Sequence, residues 1–167
     1  DSWAKIWVDQ IKANRAFVGD FAERGVGKLF GLFQHKAVIL AGSGPSLKVN
    51  GDALKDRKGV PLISCLHNFH FFEDRYIKPD FYVSLHAGPI VLEEIAEGGS
   101  KTPEEYWERT KEHTLVCYIG SHPDLVQKWP GKIYFFKAGL PAGNVKEEAE
   151  AAAPLTVDQA RLAVSIA

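Results

Sequence analysis

The sequence contains no methionine and only two cysteines, Cys65 and Cys117. Each thiol sits inside an apolar run and no CxxC pair occurs. A cysteine zinc site is therefore not expected, and both thiols read as free and buried, as in a reducing cytoplasm. No apolar run approaches 18 residues, so no membrane span is expected. No basic stretch leads into an apolar core at the start, as a signal peptide would require. An excess of either charge is missing too: 20 Lys+Arg face 21 Asp+Glu, a formal net charge of -1. That balance argues against a nucleic-acid partner or a polybasic membrane surface, while leaving room for a local basic patch. H-E-x-x-H, G-x-S-x-G and carboxylate-rich clusters are all lacking, so no metal ligand is assigned. Starting at Asp1 without a methionine and stopping at Ala167 inside a helical pattern, the chain reads as a piece of a longer polypeptide.

What is present is ordinary globular material: 167 residues, 46% hydrophobic and 25% charged. This suffices for one domain with a sizeable core. Residues 2–24 read as a helix. Ser2 is a cap candidate, and Trp3, Ile6, Trp7, Ile11, Val18 and Phe21 recur near the 3.6 period. Gly25, Gly27 and Gly31 punctuate a short apolar stretch after it. Residues 1–34 are thus expected as a helical N-terminal segment, and 35–167 as the main domain, with its C-terminal end missing.

From residue 35 the texture changes. Apolar runs at 37–41, 60–66, 81–85, 114–119 and 132–136 have the look of strands buried on both faces. Helix-length segments separate them. The alternation predicts an α/β Rossmann-like three-layer sandwich with a mainly parallel sheet of at least five strands, helices covering both faces. Beyond the last run lie a glycine-rich loop around Gly143-Asn144, the low-complexity stretch 147–153, and a T-x-x-Q capping box at Thr156. The capping box opens a helix with Val157, Ala160, Val164 and Ala167 on one face.

In such sheets ligands bind beyond the carboxyl ends of the strands. The first such place is Gly42-Ser43-Gly44-Pro45-Ser46-Leu47. Its glycines let backbone N–H groups approach a phosphate, and Ser43 and Ser46 add hydroxyls. It is neither a Walker A loop nor a full G-x-G-x-x-G, and a ligand-free strand-to-helix turn is the alternative. Asn68 ends the second run. It can reach a ligand hydroxyl or cap the next helix, or do both. His67 and His70 read as helix-surface or packing residues, and Asp80 as a turn residue. His86 and His122 each follow a strand, and either can be a proton acceptor or a loop residue.

These residues also carry a resemblance. Ala41-Gly-Ser-Gly-Pro-Ser-Leu47, His67-Asn68-Phe69 and Ile77-Lys-Pro-Asp-Phe-Tyr-Val-Ser-Leu85 resemble the 6-hydroxymethylpterin diphosphokinase-like family. That family includes archaeal pterin diphosphokinases and the motility-associated-factor glycosyltransferases. The segment Asn68-Phe-His-Phe-Phe-Glu-Asp74 is similar to one in bacterial lipooligosaccharide sialyltransferases. The resemblance implies that Gly42, Ser43, Gly44 and Ser46 bind nucleotide phosphate and that Asn68 contacts the nucleoside. Family members often carry Asp where this chain has His86, which bears on any Mg2+-assisted step.

Three readings follow. The first is a nucleotide-dependent transferase, foremost a glycosyltransferase using a nucleotide-activated sugar, with His86 or His122 as catalytic base. The second is pyrophosphate transfer from ATP to a hydroxymethylpterin, with Mg2+ as cofactor. The third is a non-catalytic Rossmann-like module that binds a nucleotide or a partner. The expected small-molecule partner is a nucleotide or nucleotide-sugar.

Overall fold

The structure, a computed structural model, describes residues 3–19 and 21–137. Five parallel strands form one sheet in the order β1-β2-β3-β4-β5. They are β1 (Ile39–Ala41), β2 (Leu62–Cys65), β3 (Phe81–Ser84), β4 (Thr114–Tyr118) and β5 (Lys132–Phe136), one inside each apolar run. The helices are α1 (Trp3–Val18), α2 (Phe21–Arg24), α3 (Ser46–Asn50), α4 (Phe69–Asp74), α5 (Val91–Glu94), α6 (Pro103–Arg109) and α7 (Pro123–Lys128). The α/β class, the parallel sheet and the N-terminal helix agree with the sequence. Ser2, the 139–144 loop, the 147–153 stretch and the Thr156 capping box lie outside the described residues.

Local chemistry explains several boundaries. The expected single N-terminal helix is broken after Val18, because Gly19 adopts φ 71° and its N–H closes on the Arg15 carbonyl at 3.1 Å. A left-handed glycine of this kind ends helices. α6 opens with Pro103 and a reciprocal cap: Thr102 Oγ1 accepts from Glu105 N, and Glu105 Oε2 accepts from Thr102 N. Asp80 fixes the β2–β3 register, since its carboxylate accepts from Leu62 N at 2.8 Å and its N–H donates to Leu62 O at 2.8 Å.

Four crossovers run in one direction, so right-handedness places their helices on the same face. Alternation along the strands puts Leu62, Tyr82 and Leu115 on that face, all fully buried. There Phe69 of α4 packs on Tyr82 with ring centroids 5.1 Å apart, and Tyr106 of α6 packs on Phe69 at 6.4 Å. On the opposite face Trp7 of α1 meets Tyr118 at 6.3 Å, and the part over β1–β3 is crossed by residues 26–38. They leave the β5 edge, where Gly25 bridges Phe135, and return to β1. Phe33 touches Phe81 on the way, at 5.8 Å. β1 lies at the sheet edge, and Leu40 is 75% exposed.

α1 is tied into the same core through Val8, Ile11 and Val18. Its buried Asn14 donates through Nδ2 to the carbonyls of Ile119 at 2.7 Å and Ser121 at 2.8 Å. One turn earlier, Gln10 donates to the Ala87 carbonyl at 2.8 Å. The N-terminal helix therefore holds the loops that follow β3 and β4. Cys117 is buried and Cys65 is half-buried, both free. Burial pushes the Cys117 thiol up to about 12. No described helix is long and apolar enough to cross a membrane.

Candidate functional site

The turn at 42–46 leaves the carboxyl end of β1 and runs into α3 at Ser46. Its residues are all exposed. The N–H groups of Ser43 and Gly44 make no hydrogen bond among the described residues. Neither glycine is imposed by backbone conformation, because neither has a positive φ. Nor is either imposed by packing: a Cβ at Gly42 would meet nothing within 4 Å, and one at Gly44 only Ser46 Oγ at 3.9 Å. Other glycines contrast sharply. A Cβ at Gly51 would lie 2.5 Å from Phe71 Cζ, and one at Gly131 2.3 Å from the His113 carbonyl. Gly42 and Gly44 therefore leave the turn backbone open to close approach, and nothing in the described fold requires their small size.

Asn68 lies beside the turn and is 4% exposed. Its amide Nδ2 is shared among three acceptors: Ala41 O at 3.3 Å, Gly42 O at 3.2 Å and Ser64 Oγ at 3.0 Å. It makes no side-chain cap on α4, so the capping alternative is not realised. The amide instead pins the end of β1 and the start of the turn to β2. Ser64 strengthens the same junction by donating to Ala41 O at 3.3 Å.

The turn and Asn68 share one cleft of about 460 Å³, lined also by Leu47, Lys48, His67, His70, Phe71, Asp74, Arg75, Glu97 and Gly98. Lys48 is exposed and makes no ion pair among the described residues. Arg75 is held at the rim: its guanidinium lies 3.7 Å from the Phe71 ring centroid, and Nε is 3.7 Å from Asp52 Oδ1. His67 and His70 stand edge to face with centroids 6.3 Å apart. Burial, reinforced by His67, pulls the His70 pKa down, which favours a neutral ring.

The far wall hangs from Asp74. Burial alone would raise its carboxyl, but hydrogen bonds from Lys101, Tyr106 and Ser100 outweigh that and hold it well below the carboxylate range. Tyr106 Oη donates to it at 2.6 Å, Lys101 Nζ at 2.8 Å, and Ser100 through both N and Oγ. Its neighbour Glu73 is 6% exposed and reaches His113 Nε2 at 2.7 Å and Arg109 Nε at 2.8 Å. Burial opposes its ionisation, and those two partners reverse the effect and lower its pKa. Both acidic side chains therefore organise the fold. Among the described residues no group of three or more His, Cys, Asp or Glu side chains is placed to hold a metal ion. With Asp74 fully engaged, Glu97 is the one remaining carboxylate of the cleft, so any Mg2+ there would be held by Glu97 together with substrate phosphates.

His86 and His122 do not line this cleft. They sit on neighbouring loops after β3 and β4, joined by a 3.3 Å bond from His122 N to His86 O. Each ring is used locally. His86 Nδ1 accepts from Gly88 N at 3.0 Å, and His122 Nδ1 accepts from Asp124 N at 3.3 Å, capping α7. A neutral imidazole whose Nδ1 accepts carries its proton on Nε2. The structure thus brings the turn and Asn68 into one cleft and pairs the two histidines elsewhere along the strand ends. Sequence reasoning passed over His67, His70 and Lys48 as cleft residues; of the three, only Lys48, two residues past Ser46, could be placed beside the turn by spacing.

Five parallel strands joined by helices, with a turn and a cleft at their carboxyl ends, define the class as Rossmann-like α/β. Within that class the chain belongs to the family described as 6-hydroxymethylpterin diphosphokinase MptE-like, matched over residues 16–167. It also shares its fold with the MAf glycosyltransferase from Magnetospirillum magneticum AMB-1, at 19% identity and a TM-score of 0.57. That likeness covers 92% of this chain and 23% of the other, so this chain spans about a quarter of that protein's length. No curated protein matches the chain.

Proposed function

We propose that the chain is the nucleotide-binding part of a transferase, and foremost of a glycosyltransferase that uses a nucleotide-activated sugar. The observation that carries the reading is the pair Gly42 and Gly44, open and unstrained, with free N–H groups at Ser43 and Gly44. Such N–H groups can bind phosphate oxygens directly, and Ser43, Ser46 and Lys48 add two hydroxyls and a cation. In the transfer, an acceptor oxygen bonds to the anomeric carbon while the bond from that carbon to the phosphate oxygen breaks. The phosphate keeps the electron pair, and the acceptor proton passes to a base. Donors already aimed at the phosphate stabilise the charge that develops there. The fold shared with a protein named as a glycosyltransferase favours a sugar as the transferred group.

Asn68 acts here by holding the turn in shape, and its remaining oxygen is offered to the nucleoside. For the base there are two pairs of histidines. His86 and His122 project from the carboxyl edge, but each must release a backbone N–H before Nδ1 can accept a proton. His67 and His70 line the cleft itself.

A second reading, pyrophosphate transfer from ATP to a hydroxymethylpterin, is favoured by the family match. The cleft offers one carboxylate outside the fold's own ion pairs, Glu97, which with the substrate's phosphates would hold Mg2+. Titration of cytidine, uridine and adenosine nucleotides, with and without Mg2+, separates the readings. Binding of a pyrimidine nucleotide without metal supports the first, Mg2+-dependent binding of ATP supports the second, and no binding of any nucleotide contradicts both.

A further inference from the structure

Of the six histidines, three have rings that the fold itself uses. His86 and His122 each accept a backbone N–H through Nδ1, and His113 Nε2 is paired with Glu73 at 2.7 Å. His67 and His70 are different. Neither is paired with a carboxylate among the described residues, and His67 makes no hydrogen bond there. Nδ1 of His70 is buried without a partner, while its Nε2 faces Gly98 on the cleft wall, 3.9 Å from where a Cβ would stand. Both rings are half-buried and both line the cleft. Ordered polar rings that the fold leaves unused are available to a ligand.

The chain places this pair beside the turn. His67 immediately precedes Asn68, whose amide grips Ala41 O and Gly42 O. His70 follows three residues after His67, so the two rings share one side of the short helical stretch and stand with centroids 6.3 Å apart. Lys48 lines the same cleft without an ion partner among the described residues. The acid that could neutralise this wall is spent, because Asp74 is held by Lys101, Tyr106 and Ser100. Lys48 and two imidazoles therefore stand against a single uncommitted carboxylate, Glu97. A neutral imidazole donates one N–H to an anion, and a protonated one donates two.

The cleft, at about 460 Å³, is of a size that encloses a whole small ligand rather than one phosphate. The turn offers the Ser43 and Gly44 N–H groups to a first anionic group, and the histidine wall offers separate donors to a second. We propose that His67 and His70, with Lys48, form a second anion subsite that takes one phosphate of a nucleoside diphosphate while the 42–46 turn takes the other. The inference rests on the nucleotide reading and narrows it from nucleotides in general to diphosphates.

Calorimetric titration without Mg2+ tests it, comparing the mono- and diphosphates of cytidine, uridine and adenosine. For the nucleoside that binds best, the diphosphate should bind at least about tenfold tighter than the monophosphate, the scale of one hydrogen bond to a charged group. In the double variant His67→Ala/His70→Ala that preference should fall below about threefold. Equal affinities in the parent, or an undiminished preference in the variant, overturn the inference and leave the nucleotide reading standing. Failure of every nucleotide to bind overturns both. The parent chain gives a second readout that does not depend on the variant folding. At constant pH, the imidazole NMR signals of His67 and His70 should move on saturation with the diphosphate, and by less with the monophosphate. Imidazole signals that stay in place at saturating diphosphate overturn the proposal.

Discussion

Alanine at Gly42 and Gly44 is the most informative perturbation, because fold and ligand predict opposite signs. Neither position has a positive φ, and an added methyl meets nothing at Gly42 and only Ser46 Oγ, at 3.9 Å, at Gly44. Replacing glycine by alanine where the backbone permits it stabilises a protein by about 0.4–1 kcal/mol, through the unfolded chain. The variants should therefore unfold at equal or higher urea concentration than the parent. Binding should move the other way. A methyl on the turn keeps a phosphate from the Ser43 and Gly44 N–H groups, and a hydrogen bond to a charged group contributes about 1.5–3 kcal/mol. Losing one such bond weakens affinity by roughly 10- to 150-fold. Calorimetric titration of the best-binding nucleotide, run beside urea denaturation, reads both quantities. Unchanged affinity in both variants would refute the reasoning, since the glycines would then serve no ligand. So would a loss of stability above about 1 kcal/mol, since the fold would then need them.

Gly51→Ala is the converse case: its Cβ would fall 2.5 Å from Phe71 Cζ, so urea denaturation should show a loss of about 1–3 kcal/mol. Asn68→Ala removes the amide shared by Ala41 O, Gly42 O and Ser64 Oγ and should cost about 1–3 kcal/mol by the same assay, with nucleotide affinity falling as the turn loosens. Asp74 and Glu73 are both held below their ordinary pKa values, about 3.9 and 4.3. Their contribution to stability is therefore complete above those values and is lost as the pH falls through the depressed range. Asp74→Asn should flatten the decline of urea midpoints as the pH falls below about 4.

Elements set by short-range pattern were legible in the sequence. Each apolar run holds one strand, and the turn after the first run lies where the strand-end rule places it. What escaped depends on neighbours that sequence spacing does not reveal. The break at Gly19 was hidden because the apolar period continues through it to Phe21. Placing β1 at the edge, and all four crossovers on one face, required the strand order. Asn14 and Gln10 look like surface residues of an amphipathic helix until their carbonyl partners, distant in the chain, come into contact. Asn68 was identified as important at a strand end, but its amide serves the backbone of the turn rather than the next helix. His67 and His70 enter the cleft because the short turn after β2 carries them toward α3, a tertiary effect with no local signature.

The central claim is that the 42–46 turn receives the phosphate of a nucleotide. Amide chemical shifts report it most directly, since the proposed donors are backbone N–H groups. Titration of the ¹⁵N-labelled chain with a pyrimidine nucleoside diphosphate should move the amides of Ser43, Gly44 and Ser46 first and furthest, with the Asn68 side-chain amide following. Saturable shifts confined to the His86 and His122 loops, or no shift at the turn at millimolar nucleotide, would contradict the account.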